Sequence, residues 1–269
     1  MRHIAVRIAS LAVFAVSFGG AQAEAKRCPR VLDRATRLIV VTVPDMSATK
    51  AEMRTYERAS PAAHWGLKTG AEPAVIGARG IGWGTKFVHM QRGDEPIKQE
   101  GDKRSPAGIY RFGATFGFEA AKRAGHMQLE PGKQFCVDDL RSPHYGRIVK
   151  KSVAGEGVSG EDMATFPQFK HGIVVDYPPR RDKKAGSCIF LHVWQGAGVG
   201  TAGCVALPEE RVSFLQSWAA SRNTVIAILE QEAIARFDGC VPDPAGVSAS
   251  MRPVVPQPNP RRVAAGRLR

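Results

Sequence analysis

His192 and Cys204 stand twelve positions apart, separated by a glycine-rich turn, and those two residue types could together run thiol chemistry. The stretch reads Ser187-Cys-Ile-Phe-Leu-His-Val-Trp-Gln-Gly-Ala-Gly-Val-Gly-Thr-Ala-Gly-Cys-Val-Ala-Leu207. An apolar, β-prone run from Cys188 to Trp194 carries His192 in its middle, and the turn presents Cys204 after Gly203, ahead of an apolar run closed by Pro208. A thiol is a strong nucleophile as its thiolate, and a nearby imidazole makes one by taking the proton. Acyl transfer also needs donors for the oxyanion of a tetrahedral intermediate. Backbone N–H groups of Thr201, Ala202 and Gly203 are candidates, because a glycine lets the chain approach a substrate closely. The competing reading is a packed structural cysteine with a core histidine on a strand. The odd cysteine count and the glycine turn leave these two readings evenly weighted on the residues alone.

The cysteines carry information because the chain begins like an exported one. Arg2 and Arg7 precede an apolar run from Ile8 to Phe18, and Ala21-Gln22-Ala23 is a small-x-small cleavage site, so residues 1–23 read as a secretory signal peptide. The apolar run is too short for a comfortable membrane span, and the expected destination is the periplasm, with no integral membrane segment after cleavage. Five cysteines in an oxidising compartment leave one unpaired. Pairing Cys28 with Cys240 would tie the two ends of the fold together, and pairing Cys136 with Cys188 would leave Cys204 free. Sequence alone does not decide connectivity, and other pairings stay open.

The elements that must hold this turn are mostly strands. Leu38 to Val43 is a β-branched run ended by Pro44, a buried first strand, and Met53 to Arg58 alternates apolar and charged residues. Glycines recur from Gly66 to Gly84, which suggests hairpins. Ile109 to Phe112, Met127 to Leu129, Gln134 to Val137, Gly172 to Tyr177 and Thr224 to Leu229 read as further strands. Arg141 to Glu161 is polar and glycine-containing and reads as a long surface loop bordering a groove. Pro208-Glu209-Glu210 opens a short helix through Ala219 or Ala220. Residues 241–269 turn to Pro, Ala, Ser and Arg without a period and are expected to be disordered. The sum is a single mostly β domain over residues 26–240, sandwich-like, with one or two short helices.

The formal charge is +13, with two basic residues in the leader and five arginines against Asp243 in the tail. The remainder, 31 basic against 24 acidic residues, is moderately basic at +7, as suits an anionic polymer surface. An export signal and the lack of any nucleic-acid motif argue against nucleic acid as partner.

His192 followed by Thr201-Ala-Gly-Cys-Val205 resembles the signature of the L,D-transpeptidase catalytic domain family (the YkuD type), a histidine and then a Ser/Thr-x-Gly-Cys-hydrophobic turn. Glu100-Gly-Asp102 and Ser105-Pro-Ala-Gly-Ile109 resemble that family's earlier Thr/Ser-Pro-x-Gly motif. Cys136-Val-Asp-Asp139 and Gly172-Ile-Val-Val-Asp176 are similar to segments of one branch, and the likeness spans roughly residues 38 to 230. The resemblance implies a β-sandwich with a groove, Cys204 as nucleophile, His192 as general base and acid, and Thr201, Ala202 and Gly203 as turn and oxyanion residues. Ser105, Pro106, Gly108 and Trp194 are expected along the substrate groove. The implied partners are peptidoglycan stem peptides, cleaved after a meso-diaminopimelate residue through a thioester on Cys204. An amine-bearing peptide or protein, or water, resolves it, and no metal or other cofactor is required. The chain departs from the family at Ala202, where many members have histidine, and at Ala206, where many have arginine. A cation lost at 206 alters how a substrate carboxylate is held. A stem-peptide carboxypeptidase or endopeptidase is therefore the alternative enzyme, and a catalytically silent wall-binding module the alternative from another class.

Other motifs are weaker. Gly198-Val-Gly-Thr-Ala-Gly203 matches a dinucleotide turn but lacks the βαβ frame, and Pro208 stands where its helix should run. His64, His89, His126, His144 and His171 show no paired ligand spacing, and Asp138, Asp139 and His144 read as loop positions rather than a zinc set. His171 or Asp176 is expected to orient His192. Trp65, Trp83 and the Phe112, Phe116 and Phe118 cluster read as core or groove lining.

Overall fold

The computed structural model describes residues 28–120, 124–219 and 223–244, so the signal peptide expected over 1–23 and nearly all of the tail lie outside the described residues. Thirteen strands run in chain order: Arg37–Val43 (β1), Lys50–Glu57 (β2), Gly66–Val75 (β3), Ile81–Trp83 (β4), Ser105–Gly117 (β5), His126–Gln128 (β6), Phe135–Val137 (β7), Ile148–Val149 (β8), Gly160–Asp162 (β9), His171–Val175 (β10), Phe190–Val193 (β11), Val205–Leu207 (β12) and Thr224–Glu230 (β13). Among the described residues Lys151–Ala154 (α1) and Glu209–Trp218 (α2) are the α-helices, with short 3-10 turns between strands. The fold is mostly β.

Ten strands form one sheet, ordered β10-β11-β12-β3-β2-β1-β13-β5-β4, with β6 added on β5. Strand β10 also pairs with β5, so the sheet curls round and closes on itself. The long strand β5 makes this possible. Its residues Gly108 to Arg111 pair with β13, and Phe112 to Gly117 pair with β10. Strand β1 lies between β2 and parallel β13 and is buried along nearly its whole length, which is why its sequence is a continuous apolar run. Helix α2 begins after Pro208 with Glu209 and Glu210 in its first turn, where the exposed N–H groups favour acidic side chains. It buries Val212, Leu215 and Trp218, and Gln216 Nε2 donates to Phe116 O and Gly172 O, one on each strand of the closure.

A second, small sheet, β8-β7-β9, stands beside the first. Between the two sheets Phe116, Leu129, Met163, Phe169 and Phe190 form a cluster that also contains Cys136 and Cys204. The disulfide Cys136–Cys188 joins the two sheets, and Cys28–Cys240 ties the described N-terminal end to the C-terminal one. Cys204 is free and buried.

Two expectations about elements are corrected. The segment from Gly66 to Gly84 is no set of hairpins. Gly66–Val75 is one ten-residue strand, and Gly70 within it faces open space where a missing side chain removes no packing. Nor is Arg141 to Glu161 a loop, since it contains β8, α1 and the start of β9. Strands of two and three residues show no period, and their register comes from the partner β7 instead. No helix among the described residues is long and apolar enough to cross a membrane.

Candidate active site

Cys204 immediately precedes β12, and His192 sits in β11, to which β12 is paired in parallel. The register sets His192 beside Ala206, so alternation along the strand puts Cys204 and His192 on the same face, one diagonal step apart. Both line a cavity of about 190 Å³, with Glu161, Gln168, Phe169, Gln195, Thr201 and Ala202 in its wall. Exposed Phe166 and Val199 stand at its mouth. A larger cavity of about 580 Å³, between Arg30, Lys86, Tyr110 and Arg236, contains no cysteine. The smaller one is therefore the candidate site.

The turn is held from below. Thr201 N donates to Ile76 O and Ala78 N to Thr201 O, which docks the turn on the segment after β3. Gly77 there packs so close that an added Cβ would stand 2.4 Å from Lys103 O. Thr201 Oγ1 accepts from Gly203 N and donates to Cys204 O at 2.7 Å. Gly203 has φ +149°, which a side chain would strain. Ser105 Oγ accepts from Gly77 N and donates to Cys204 O. The carbonyl of Cys204 thus takes two hydroxyl donors, and the Cα that carries the thiol is fixed.

This assigns Ser105 a different place from the one expected. It is fully buried beneath the turn, not along a groove, because its hydroxyl is used up by backbone. Pro106 and Gly108 lie in the buried first half of β5, paired with β4 and β13. Trp194 faces two other surface depressions, one against Lys50 and Pro73 and one against Lys170. None of the four lines the cavity of Cys204. Gly203 N, bonded to Thr201 Oγ1, is taken as a donor, which leaves the amides of Ala202 and Cys204 as the turn's candidates for an oxyanion.

The imidazole is oriented by neither His171 nor Asp176. His171 lies 3.7 Å from Glu209, and Asp176 lines the other cavity. Instead Nδ1 of His192 lies 2.7 Å from Val193 O. A carbonyl can only accept, so Nδ1 carries the proton and Nε2 keeps its lone pair. Phe169 packs edge-on against the ring at 5.2 Å between centroids. Burial lowers the His192 pKa to about 4, against an opposing pull from the Val193 carbonyl. The imidazole is a neutral base throughout the physiological range.

The thiol is also neutral. Burial raises the Cys204 pKa to about 12, and the charge of Glu161 adds to the rise, while the Phe190 amide and Lys98 oppose it. Sγ accepts from Phe190 N at 3.3 Å and donates to Cys188 O at 3.5 Å. A proton affinity of about 12 facing one of about 4 corresponds to a gap of roughly 10 kcal/mol. Attraction between the two charges, about 4 kcal/mol at 4 Å in a medium of effective dielectric 20, does not close it. Burial thus disfavours the charged form of both groups and holds the pair as neutral thiol and neutral imidazole.

Glu161 was hidden from the sequence because it closes a stretch that reads as polar loop. It sits on β9 opposite Cys136, whose disulfide leads to Cys188 and so to the thiol's acceptor. Its Oε2 is buried without a hydrogen-bond partner. Burial and then the charges of Asp138 and Glu100 raise its pKa from 4.5 to about 7. A raised carboxyl stabilises the fold below its unfolded value and loses that stabilisation as pH climbs through about 7. Glu161→Gln is therefore expected to be more stable than the parent by roughly 3 kcal/mol at pH 8 and equal to it at pH 4. Urea unfolding at the two pH values checks this, and equal stability at pH 8 would mean the carboxylate is already compensated.

The upstream motif is scaffolding. Asp102 accepts from Gln99 N, Arg104 N and the buried Lys98 ammonium, and Glu100 Oε2 accepts from Tyr145 and Ser187 hydroxyls. Asp139 is held by Arg141. Among the described residues no three His, Cys, Asp or Glu side chains gather as metal ligands. Trp83 is fully buried core, Trp65 donates to Cys240 O, and Phe118 is exposed.

No protein-family profile matches the sequence, and no curated protein matches it. Among solved structures, Bd1075 of Bdellovibrio bacteriovorus is similar at a TM-score of 0.38 and 16% identity, over 76% of this chain and 54% of that one. Two structures of the helical cell shape determining protein Pgp2 of Campylobacter jejuni follow at 0.37 and 0.33, with 15% and 14% identity. They match over 77% and 75% of this chain and 54% and 53% of theirs. The chain spans about half the length of these structures, and at such scores the likeness carries no argument about its activity.

Proposed function

We propose that this chain is an exported cysteine acyltransferase acting on peptidoglycan stem peptides, with Cys204 as nucleophile and His192 as its base. The observation that carries the reading is the contact of His192 Nδ1 with Val193 O, which leaves Nε2 as the free nitrogen. A neutral imidazole with Nε2 unprotonated shares a cavity with the one free thiol of the described residues. Two disulfides in a chain with a leader-like start support an oxidising destination, the periplasm.

In this reading Sγ attacks the carbonyl carbon of the scissile peptide bond while Nε2 takes the thiol proton. The oxyanion is received by main-chain amides of the turn at Ala202 and Cys204. The imidazolium then protonates the departing amine, leaving a thioester. An acceptor amine, losing its proton to Nε2, or a water molecule attacks that thioester and restores the thiol. Amine attack gives a crosslink or a protein attachment, and water attack gives a trimmed stem.

Incubation with disaccharide tetrapeptides, followed by mass spectrometry, tests the proposal. Crosslinked dimers are expected, while trimmed monomers would move the assignment to hydrolysis. No change in the muropeptides, together with no mass shift after a carbapenem probe, would leave a silent wall-binding module.

A further inference from the structure

Glu161 and Gln168 line the Cys204 cavity, and each carries one side-chain oxygen, Oε2 and Oε1, that is buried and without a hydrogen-bond partner. A buried acceptor left unmatched is costly, and a buried carboxylate more so, unless a donor arrives to satisfy it. Both atoms lack a donor, and Glu161 is the one lining residue, apart from His192 and Cys204, with an ionisable side chain. Lys98, whose field reaches the thiol, is already held by Asp102 at 2.6 Å. A ligand that brings N–H donors and a positive charge would satisfy the pair. We infer that Glu161 and Gln168 form a receptor for the ammonium group of a primary-amine substrate, set beside the Cys204 thiol. The inference rests on the reading of Cys204 as nucleophile and adds to it the charge and chemical class of what the cavity admits.

The same receptor couples occupancy to reactivity. An ionised Glu161 raises the pKa of Cys204, so a cation docked on the carboxylate removes that obstacle as it arrives. The groups that face or reach Glu161 are Asp138 and Glu100, which raise its proton affinity, and Cys204 and His192 across the cavity. None of these is a cation at neutral pH.

Methanethiosulfonates of matched size but different charge test this without turnover. The thiolate attacks the sulfenyl sulfur, the new disulfide keeps the reagent's alkyl group, and methanesulfinate leaves. At pH 8 the 2-aminoethyl reagent is expected to label Cys204 about tenfold faster than the neutral ethyl reagent, with the anionic sulfonatoethyl reagent slowest. The chain's net positive charge alone would favour the opposite order. Glu161→Gln should bring the cationic-to-neutral ratio to about one, and Gln168→Leu should lower it. In the parent the ratio should fall as pH drops through about 7 and Glu161 gains a proton. A parent that does not prefer the cation, or a preference that survives Glu161→Gln, overturns the receptor while the nucleophile stands. A Cys204 inert to all three reagents overturns both readings.

Discussion

Under the proposed chemistry, replacing His192 by glutamine is expected to lower the rate of Cys204 acylation by about a thousandfold. The thiol is held neutral by its surroundings, with its pKa pushed up to about 12. At pH 7.5 the thiolate fraction without assistance is negligible, so the rate depends on a base that takes the proton during attack. In the proposed mechanism Nε2 of His192 takes that proton, since it lines the same cavity and Nδ1 is committed to Val193 O. Glutamine can still donate to that carbonyl but offers no basic lone pair, which separates loss of the base from loss of the fold. General-base contributions of this kind run from about 10²- to 10⁴-fold. Time-resolved intact-mass measurement with a carbapenem reads the rate, and Cys204→Ala in the same assay should give no adduct at all. A glutamine variant within tenfold of the parent would show that the imidazole is not the base. The glutamine variant, left with the unassisted thiolate, should gain about tenfold in rate per pH unit between pH 7 and 10, while the parent's rate stays level until about pH 10.

Opening the Cys136–Cys188 bridge is expected to cost both stability and reactivity, and opening Cys28–Cys240 stability alone. The first bridge spans 52 residues and the second 212. The chain-entropy relation assigns roughly 4 kcal/mol to a loop of the first size and roughly 5 kcal/mol to the second. The functional difference comes from position. Cys188 has φ +52° and supplies the carbonyl that receives the Cys204 thiol, while Cys136 pairs with Glu161 across β7 and β9. The first bridge therefore fixes one wall of the cavity. The second sits at the far end of the chain's course, where Trp65 donates to Cys240 O. The double variant Cys136→Ala, Cys188→Ala is expected to lose about 4 kcal/mol in urea unfolding and 10- to 100-fold in acylation rate. Cys28→Ala with Cys240→Ala should melt lower but acylate at the parent's rate well below its midpoint. Equal acylation by both double variants would show that the small sheet does not shape the site.

How far the residues speak for themselves differs from place to place. Leu38 to Val43 and Thr224 to Leu229 announce strands because they are buried along almost their whole length in the sheet, where an uninterrupted apolar run is the physical requirement. The helix after Pro208 is legible because proline and two glutamates suit a helix start wherever it lies. The His192 and Cys204 pair could be singled out because a strand, a glycine turn and an odd cysteine are all local or countable features. Ser105 was misplaced for the opposite reason. A Ser-Pro-x-Gly string does not say that its hydroxyl will be consumed by Gly77 N and Cys204 O, two groups far away along the chain.

What the sequence determined by itself, then, is the mostly β class and the helix, set by composition and short-range pattern, while His192 and Cys204 stood out only as candidates that the residues alone weighed equally as reactive or structural. Tertiary structure alone decided which atom of His192 is basic, that Glu161 and Gln168 share the thiol's cavity, and that a polar stretch is a small sheet stapled to the large one. The reason is range. Periodicity and turn chemistry act over a few residues, whereas proton affinity and an unmatched buried acceptor depend on what the fold brings together from distant parts of the chain.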